Sequence, residues 1–422
     1  MTVTTPFTTQ RLKYVATIND EALSESADPE YEIAYIDIGN VDSQGQIHDI
    51  VNYRYEDAPS RARRIVRDGD VIISTVRTYL QAIAPIENPP ENLIVSTGFA
   101  VVRPSNLLDP KFCKYALRES QFLWEVETRS TGVSYPAINA SDLGEIKISL
   151  PDIHSQRRIA NYLDRETARI DRLIAEKERM LALLEEKRSA LISRLVTRGL
   201  NPDTPLKPSG QEWLGDIPAH WEIWRLKYIG RVESGSGFPP DYQGNENFEL
   251  LFLKVSDMNL PGNEYWISTS NNTVSREMAH QLSATALPSG AVVYAKIGAA
   301  LLLNKRRILQ REACIDNNMS AFIPSLVTSE WAHAWLSILD FGEFVNPGAI
   351  PSFTEGQQKE LPMAVPPIEE QTAITRYIEG AIEQTGTLVA EISLSIGLLR
   401  ERRSALITAA VTGKIPLKEM DA

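Results

Sequence analysis

The chain has 422 residues, 43% of them hydrophobic and 23% charged, enough for about two to four domains with real buried cores. Its net charge of −12 excludes a uniformly basic coat for nucleic acid, so any DNA contact must be a local patch or be shared with a more basic partner. Two cysteines exclude a disulfide framework, no apolar run reaches the length of a membrane span, and the Thr-rich start, Met1 to Gln10, carries no readable secretory signal; the expected compartment is the cytoplasm.

In chain order, residues 1–150 read as a first globular α+β domain. Glu32 to Ile38 alternates like a strand, Val71 to Val76 is β-branched after the turn Asp68-Gly69-Asp70, and Ile94 to Val102 is a further apolar run. Pro110 to Val126 has helical spacing, with Phe112, Tyr115, Ala116, Leu123 and Trp124 on one face. A polar loop, Thr131 to Pro136, and a last strand, Ile146 to Leu150, lead to Pro151. Residues 151–199 then read as one long helix, with Asp152 or Ser155 as its N-cap. Gln156, Ile159, Leu163, Ile170, Leu184 and Leu191 mark its apolar stripe, and the series 163, 170, 177, 184, 191 holds heptad spacing. Residues 200–214, with Pro202, Pro205 and Pro208, read as a linker.

A second globular region, 215–365, and a second helix, 366–413, repeat this plan before a tail at 414–422. Pro151, Ile153, Gln156, Ile159 and Tyr162 return as Pro366, Ile368, Gln371, Ile374 and Tyr377, at an offset of 215 residues, and Arg188 to Ile192 returns as Arg403 to Ile407. Such repetition defines the architecture. The second stripe runs through Gln371, Ile374, Ile378, Ile392, Leu399 and Leu406; Gly380, Gly386 and Gly397 weaken this helix by about 1 kcal/mol each. The heads echo each other more loosely: Arg225 to Tyr228 repeats Arg11 to Tyr14, Ala291 to Ile297 answers Val71 to Arg77, and Pro351 answers Pro136. The expected fold is two α+β heads, each followed by a long helix, the helices packed as an antiparallel coiled coil with an internal pseudo-two-fold axis.

The search for chemistry is largely negative. Asn88-Pro89-Pro90-Glu91 lacks the aromatic ring with which amino-methyltransferases stack a flipped base. Gly235-Ser236-Gly237 has Pro240 where a dinucleotide fingerprint needs its third glycine. The histidines are scattered, and no carboxylate cluster with a lysine suggests a nuclease. Two basic clusters remain as candidate phosphate contacts: Arg61, Arg63, Arg64 and Arg67 in the first head, and Lys305, Arg306, Arg307 and Arg311 in the second. Loop residues able to read base edges are Thr75, Arg77, Tyr79, Ser96, Thr97, Ser134 and Tyr135, then Lys296, Asn317, Asn318 and Ser352.

Gln211-Glu212-Trp213-Leu214-Gly215-Asp216-Ile217-Pro218-Ala219-His220-Trp221 followed by Arg225 to Tyr228, the Pro-x-Ile-x-x-Gln-x-x-Ile of both helices, and Ser404 to Ile407 with Val411 to Ile415 resemble specificity subunits of Type I restriction-modification systems. The first head departs from the pattern by lacking the Trp-Leu-Gly…Pro-x-His-Trp opening, and the first helix has His154-Ser155 where the second has Glu369-Glu370. The resemblance implies a non-catalytic subunit whose two target-recognition domains each read half of a split sequence in double-stranded DNA. It also implies that the helices space the heads and dock two methyltransferase subunits and the restriction/translocase subunits, with the two stripes, Gln156 to Leu191 and Gln371 to Leu406, as the candidate residues for subunit docking and helix pairing. No cofactor is then expected on this chain; S-adenosylmethionine, ATP and Mg would act on the partners. Two other classes are open to the sequence: a helical scaffold with two protein-binding heads, and a self-contained methyltransferase or nuclease.

Overall fold

The computed structural model describes residues 7–345 and 350–421; most of the Thr-rich start therefore lies outside the described residues. The chain divides into two compact units, one of residues 1–179 with 392–422, the other of 180–391. Each contains one head and one end of both long helices.

In the first unit a four-stranded sheet runs in the order Ala16–Ile18, Phe99–Pro104, Val71–Ser74, Ile83–Pro85. A second sheet is ordered Val51–Arg54, Glu32–Ile36, Leu93–Ser96, Ala62–Ile65, with the middle two strands parallel. The apolar run expected from Ile94 to Val102 is thus two strands, broken at Thr97-Gly98. The expected helix over 110–126 is also two, Pro110–Ala116 and Ser120–Arg129, because Glu119 turns out of the helix and caps the second through the amides of Gln121 and Phe122. Periodicity carries across such a break and cannot report it.

The second unit repeats these sheets. Gly230–Ser234, Met319–Pro324, Val292–Ala295 and Arg306–Leu309 lie in the same order, with Trp266–Ile267 added at the edge. Leu250–Leu253 pairs in parallel with Ala313–Ile315 as its counterpart does. The register of the duplication can be read from equivalent hydrogen bonds. Thr75 donates its amide to Gly98 and Lys296 to Asn318, both at 2.8 Å, and Gly69 and Gly290 both turn at φ +86°. Thr75 therefore corresponds to Lys296 and Arg77 to Gly298, one residue away from the match to Ile297 read from sequence.

The long helices are Ile153–Arg198 and Ile368–Val411, of 46 and 44 residues. Asp152 caps the first, accepting from the amides of His154 and Ser155. In the first unit Arg403 pairs with Asp171 and Arg400 with Glu178, each at 2.9 Å, so that one helix ascends as the other descends. Ile170, Ile174, Ile392 and Ile396 are buried there. In the second unit Leu184, Leu191 and Ile192 face Ile378, Ile382 and Leu388 across an apolar cleft of about 280 Å³. The antiparallel pairing is the same in both.

The repeated motif at the helix starts has a structural role. Gln156 and Gln371 are fully buried. Gln156 Oε1 accepts from the Asp109 amide at 2.7 Å and its Nε2 donates to the carbonyls of Pro151 and Leu107. Gln371 accepts from the Thr328 amide at 2.9 Å and donates to Pro366. Asp109 and Thr328 are both N-caps of head helices. Each glutamine thus ties a head to the start of its helix, which corrects its assignment to partner docking. Ile159 and Leu163, like Ile374 and Ile378, are sealed into the core that a head shares with the helix ends and are likewise unavailable to a partner.

The expected linker is folded chain. Gly199 ends the first helix with φ +75°, and Leu206–Pro208 pairs antiparallel with Asp216–Pro218. Trp221 is buried edge-on against Trp331, with centroids 5.5 Å apart. Its Nε1 donates to Glu370 Oε2 at 3.0 Å, and the His220 ring nitrogen lies 2.8 Å from the same oxygen. The two departures noted in the first copy are therefore one: with no His-Trp pair in the first head, Ser155 stands in place of Glu370 and bonds Asp152 instead. The tail fills a related role in the first unit, where Met420 is buried and Arg158 and Arg165 bind the carbonyls of Leu417 and Met420. Among the described residues no helix is long and apolar enough to cross a membrane.

Candidate nucleic-acid interface

In the first head, tertiary hydrogen bonds gather most of the candidate base readers. Val76 bridges to Ala137, and the Ile138 amide donates to Thr75, which brings the loop 131–137 beside the segment that leaves Val71–Ser74. Thr75 bonds Gly98, and the Thr97 amide donates to Arg61 at 2.8 Å. Arg61, Thr97, Arg77, Tyr79, Ser134 and Tyr135 are exposed. The loop is apolar as well as polar: Val133 is fully exposed, and the Tyr135 ring lies under the Arg77 guanidinium at 4.9 Å.

Two members of this set serve the fold. Ser96 is buried and its hydroxyl faces the Gly98 amide, a correction to its reading as a base contact. Thr75 is half-buried and its hydroxyl donates to Gly98 at 2.9 Å. Of the arginine cluster, Arg63 is half-buried over the Tyr55 ring at 5.0 Å, and Arg64 is half-buried on a strand bulge. Arg67 pairs with Glu21, which also binds Arg103; Arg103 in turn holds the buried Asp70 through two nitrogens at 2.8 and 2.9 Å. These neighbouring carboxylates raise the Arg103 pKa further above its already high value.

The second head builds the same edge from other residues. Lys296 meets Asn318 through its amide, Ile297 bridges to Ser352, and the Phe353 amide donates to Lys296 at 2.8 Å. Asn317 and Asn318 are exposed, and Asn318 is oriented by Asp316 at 3.2 Å. Burial holds the Lys296 amine somewhat below the usual lysine range. Ile350, the counterpart of Tyr135, is 68% exposed.

The basic run Lys305 to Arg307 lies apart from this edge in role. Arg306 is 2% exposed, stacked 3.8 Å over the Phe341 ring and donating to the Leu339 carbonyl, and burial lowers its pKa to about 9. A guanidinium so enclosed offers nothing to a phosphate, so its assignment as a DNA contact is corrected. Arg307 donates to the carbonyls of Asn263 and Arg306, and Lys305 to Asn259. All three line a cavity of about 530 Å³ between this head and the helix residues Arg188, Ile192 and Ile378. Chain proximity suggested a surface patch; the side chains are spent on hydrogen bonds within the head.

Among the described residues no group of three or more His, Cys, Asp or Glu is placed to hold a metal. Cys113 and Cys314 are buried free thiols; burial pushes the Cys314 pKa up to about 11, leaving it a poor nucleophile at neutral pH.

The geometry is that of two related heads offering equivalent loop edges with different side chains, and similarity to known proteins agrees. Residues 6–181 match the Type I restriction modification DNA specificity domain. The putative type I restriction enzyme MjaX specificity subunit of Methanocaldococcus jannaschii is 23% identical over 83% of this chain and 79% of its own. The EcoDI specificity subunit of Escherichia coli is 19% identical over 73% of this chain and 71% of its own. A solved structure described as the basis of complex assembly and conformational transition of the type I R-M system superposes with a TM-score of 0.75 at 22% identity, covering 97% of this chain and 98% of that one, and so shares the fold. Over residues 6–181 the chain carries this DNA specificity domain, and over most of its length it is similar to specificity subunits of type I restriction-modification systems.

Proposed function

We propose that the chain is the sequence-reading subunit of a type I restriction-modification complex, each head reading one half of a bipartite target in double-stranded DNA. The observation that carries this is the duplicated loop edge: equivalent backbone positions present Thr97, Arg77 and Tyr135 in one head and Asn317, Gly298 and Ile350 in the other. One scaffold with two sets of readers is what a split target of unlike halves requires. The helices offer surface for partners, with Leu173, Leu394 and Leu398 exposed in the first unit and Met180, Leu183 and Leu388 in the second. Two methyltransferase subunits and the restriction/translocase subunits would dock there. Those partners, in the cytoplasm, would hold S-adenosylmethionine, ATP and Mg, and this chain would bind no cofactor and do no chemistry. Shared clamping of DNA also answers the net charge of −12.

The test is an exchange of modules. Replacing residues 215–365 with the second head of another specificity subunit, and sequencing modified bases in cells carrying the hybrid complex, is expected to change one half of the methylated sequence and leave the other. Changes in both halves would contradict reading by separate heads.

A further inference from the structure

We propose that Arg77 is a specificity-determining residue of the first head that reads a guanine, and that Tyr135 is the platform holding its guanidinium for that contact. The proposal rests on the reading of the heads as DNA-recognition domains and adds to it which side chain reads which base.

It begins from a conflict between backbone and side chain. Arg77 has φ +53° and ψ +50°, the left-handed region in which a Cβ crowds the following carbonyl. The equivalent in the second head, Gly298, also has a positive φ, +73°, but with ψ −164° it turns differently, in a region open to glycine. That head places a glycine at its positive-φ position; the first head carries an arginine.

The strain gains the fold nothing visible. Arg67, Arg103 and Arg118 of this head are engaged by Glu21, by Asp70 and Glu21, and by the Ile83 carbonyl. Among the described residues the Arg77 guanidinium has neither carboxylate nor carbonyl as partner, only the Tyr135 ring at 4.9 Å. That ring is itself 64% exposed, so the stack is not part of a core. A strained residue kept at a loop edge, with its donors unspent, points to a function outside the chain.

The chemistry of the pair selects the ligand. A ring beneath a guanidinium covers one face and leaves the N–H fork free at its edge, which lowers the entropy lost when the fork engages. A planar fork matches O6 and N7 of guanine in the major groove, the one base edge with two adjacent acceptors. Gly298 and Ile350 cannot make this contact, so it is confined to the half-site read by the first head.

The experiment uses the full chain in complex with its methyltransferase subunits, methylation of a randomised DNA library read by sequencing, and thermal unfolding of the chain. Arg77→Gly is expected to melt no lower than the parent, and about 2–4 °C higher if the strain is fully released, while guanine preference at one position of one half-site falls about 5- to 150-fold. Arg77→Lys, which keeps the charge and loses the fork, should lose the same preference and keep overall DNA affinity. Retained preference in either variant, or a lower melting temperature for Arg77→Gly, would overturn the assignment while the parent complex still methylates a defined sequence. A parent complex that methylates without sequence preference would instead bring down the underlying reading.

Discussion

At the scale of single residues, burial separates groups that the sequence presents alike. Gln156 and Gln371 stood out because they recur, yet recurrence did not say whether they face a partner or their own head; only the amides of Asp109 and Thr328, far away in the chain, decide that. Lys305 to Arg307 reads as a phosphate-binding run until Arg306 is found on Phe341. The same cavity contains a titration switch of stability. Burial, with Arg307, Arg306 and Arg188 nearby, lowers the His333 pKa from 6.5 to about 4, and its Nε2 lies 3.2 Å from the Arg306 carbonyl. The folded chain therefore keeps this ring neutral while the unfolded chain protonates it below pH 6.5. Its contribution is complete above that pH and is lost as the pH falls toward 4, by up to about 3 kcal/mol at about 1.4 kcal/mol per unit. Thermal unfolding of the parent and of His333→Phe from pH 8 to 4 is expected to show a stability difference that is constant down to about 6.5 and drifts in favour of the variant below it. A pH-independent difference would mean that His333 is not the group responsible.

Helices and strands differ in how far they can be read in advance. The long helices were legible because heptad spacing is local, and their second copy confirms the register. Most strands are only two to five residues long and their partners lie far along the chain, as Glu32–Ile36 does from Leu93–Ser96. The candidate edge of each head is built from just such contacts, so residue types were readable and their grouping was not. The second helix also carries a readable weakness. A Cβ built at Gly380, Gly386 or Gly397 would meet nothing within 4 Å. Alanine at each should stabilise the isolated chain by about 1 kcal/mol, close to additively because the sites are well separated. Denaturant titration of the three single variants and the triple variant measures this. A triple variant no more stable than the parent would show that the glycines serve the fold in a way their open surroundings do not reveal.

Between its two units the chain passes at Arg179–Met180 and again at Glu391–Ile392, both times inside a long helix. From uninterrupted helix at both crossings we predict that helix length sets which half-site spacing is read. Insertions after Glu178 and after Ser393 fall within two residues of these crossings, and they leave the Glu178–Arg400 pair within its own unit. Four added residues in each helix contribute about 6 Å while keeping the apolar stripe nearly in phase, and one base pair rises about 3.4 Å. The gap between methylated half-sites is therefore expected to widen by about one or two base pairs. Seven residues keep the heptad better but add about 10 Å, or about three base pairs, which turns the far half-site by roughly a quarter turn or more around the duplex. That variant should lose methylation unless the DNA twists to follow. Sequencing of modified bases in cells carrying each variant distinguishes the cases: robust methylation by the four-residue variant at the parent's spacing would show that the helices do not set the distance.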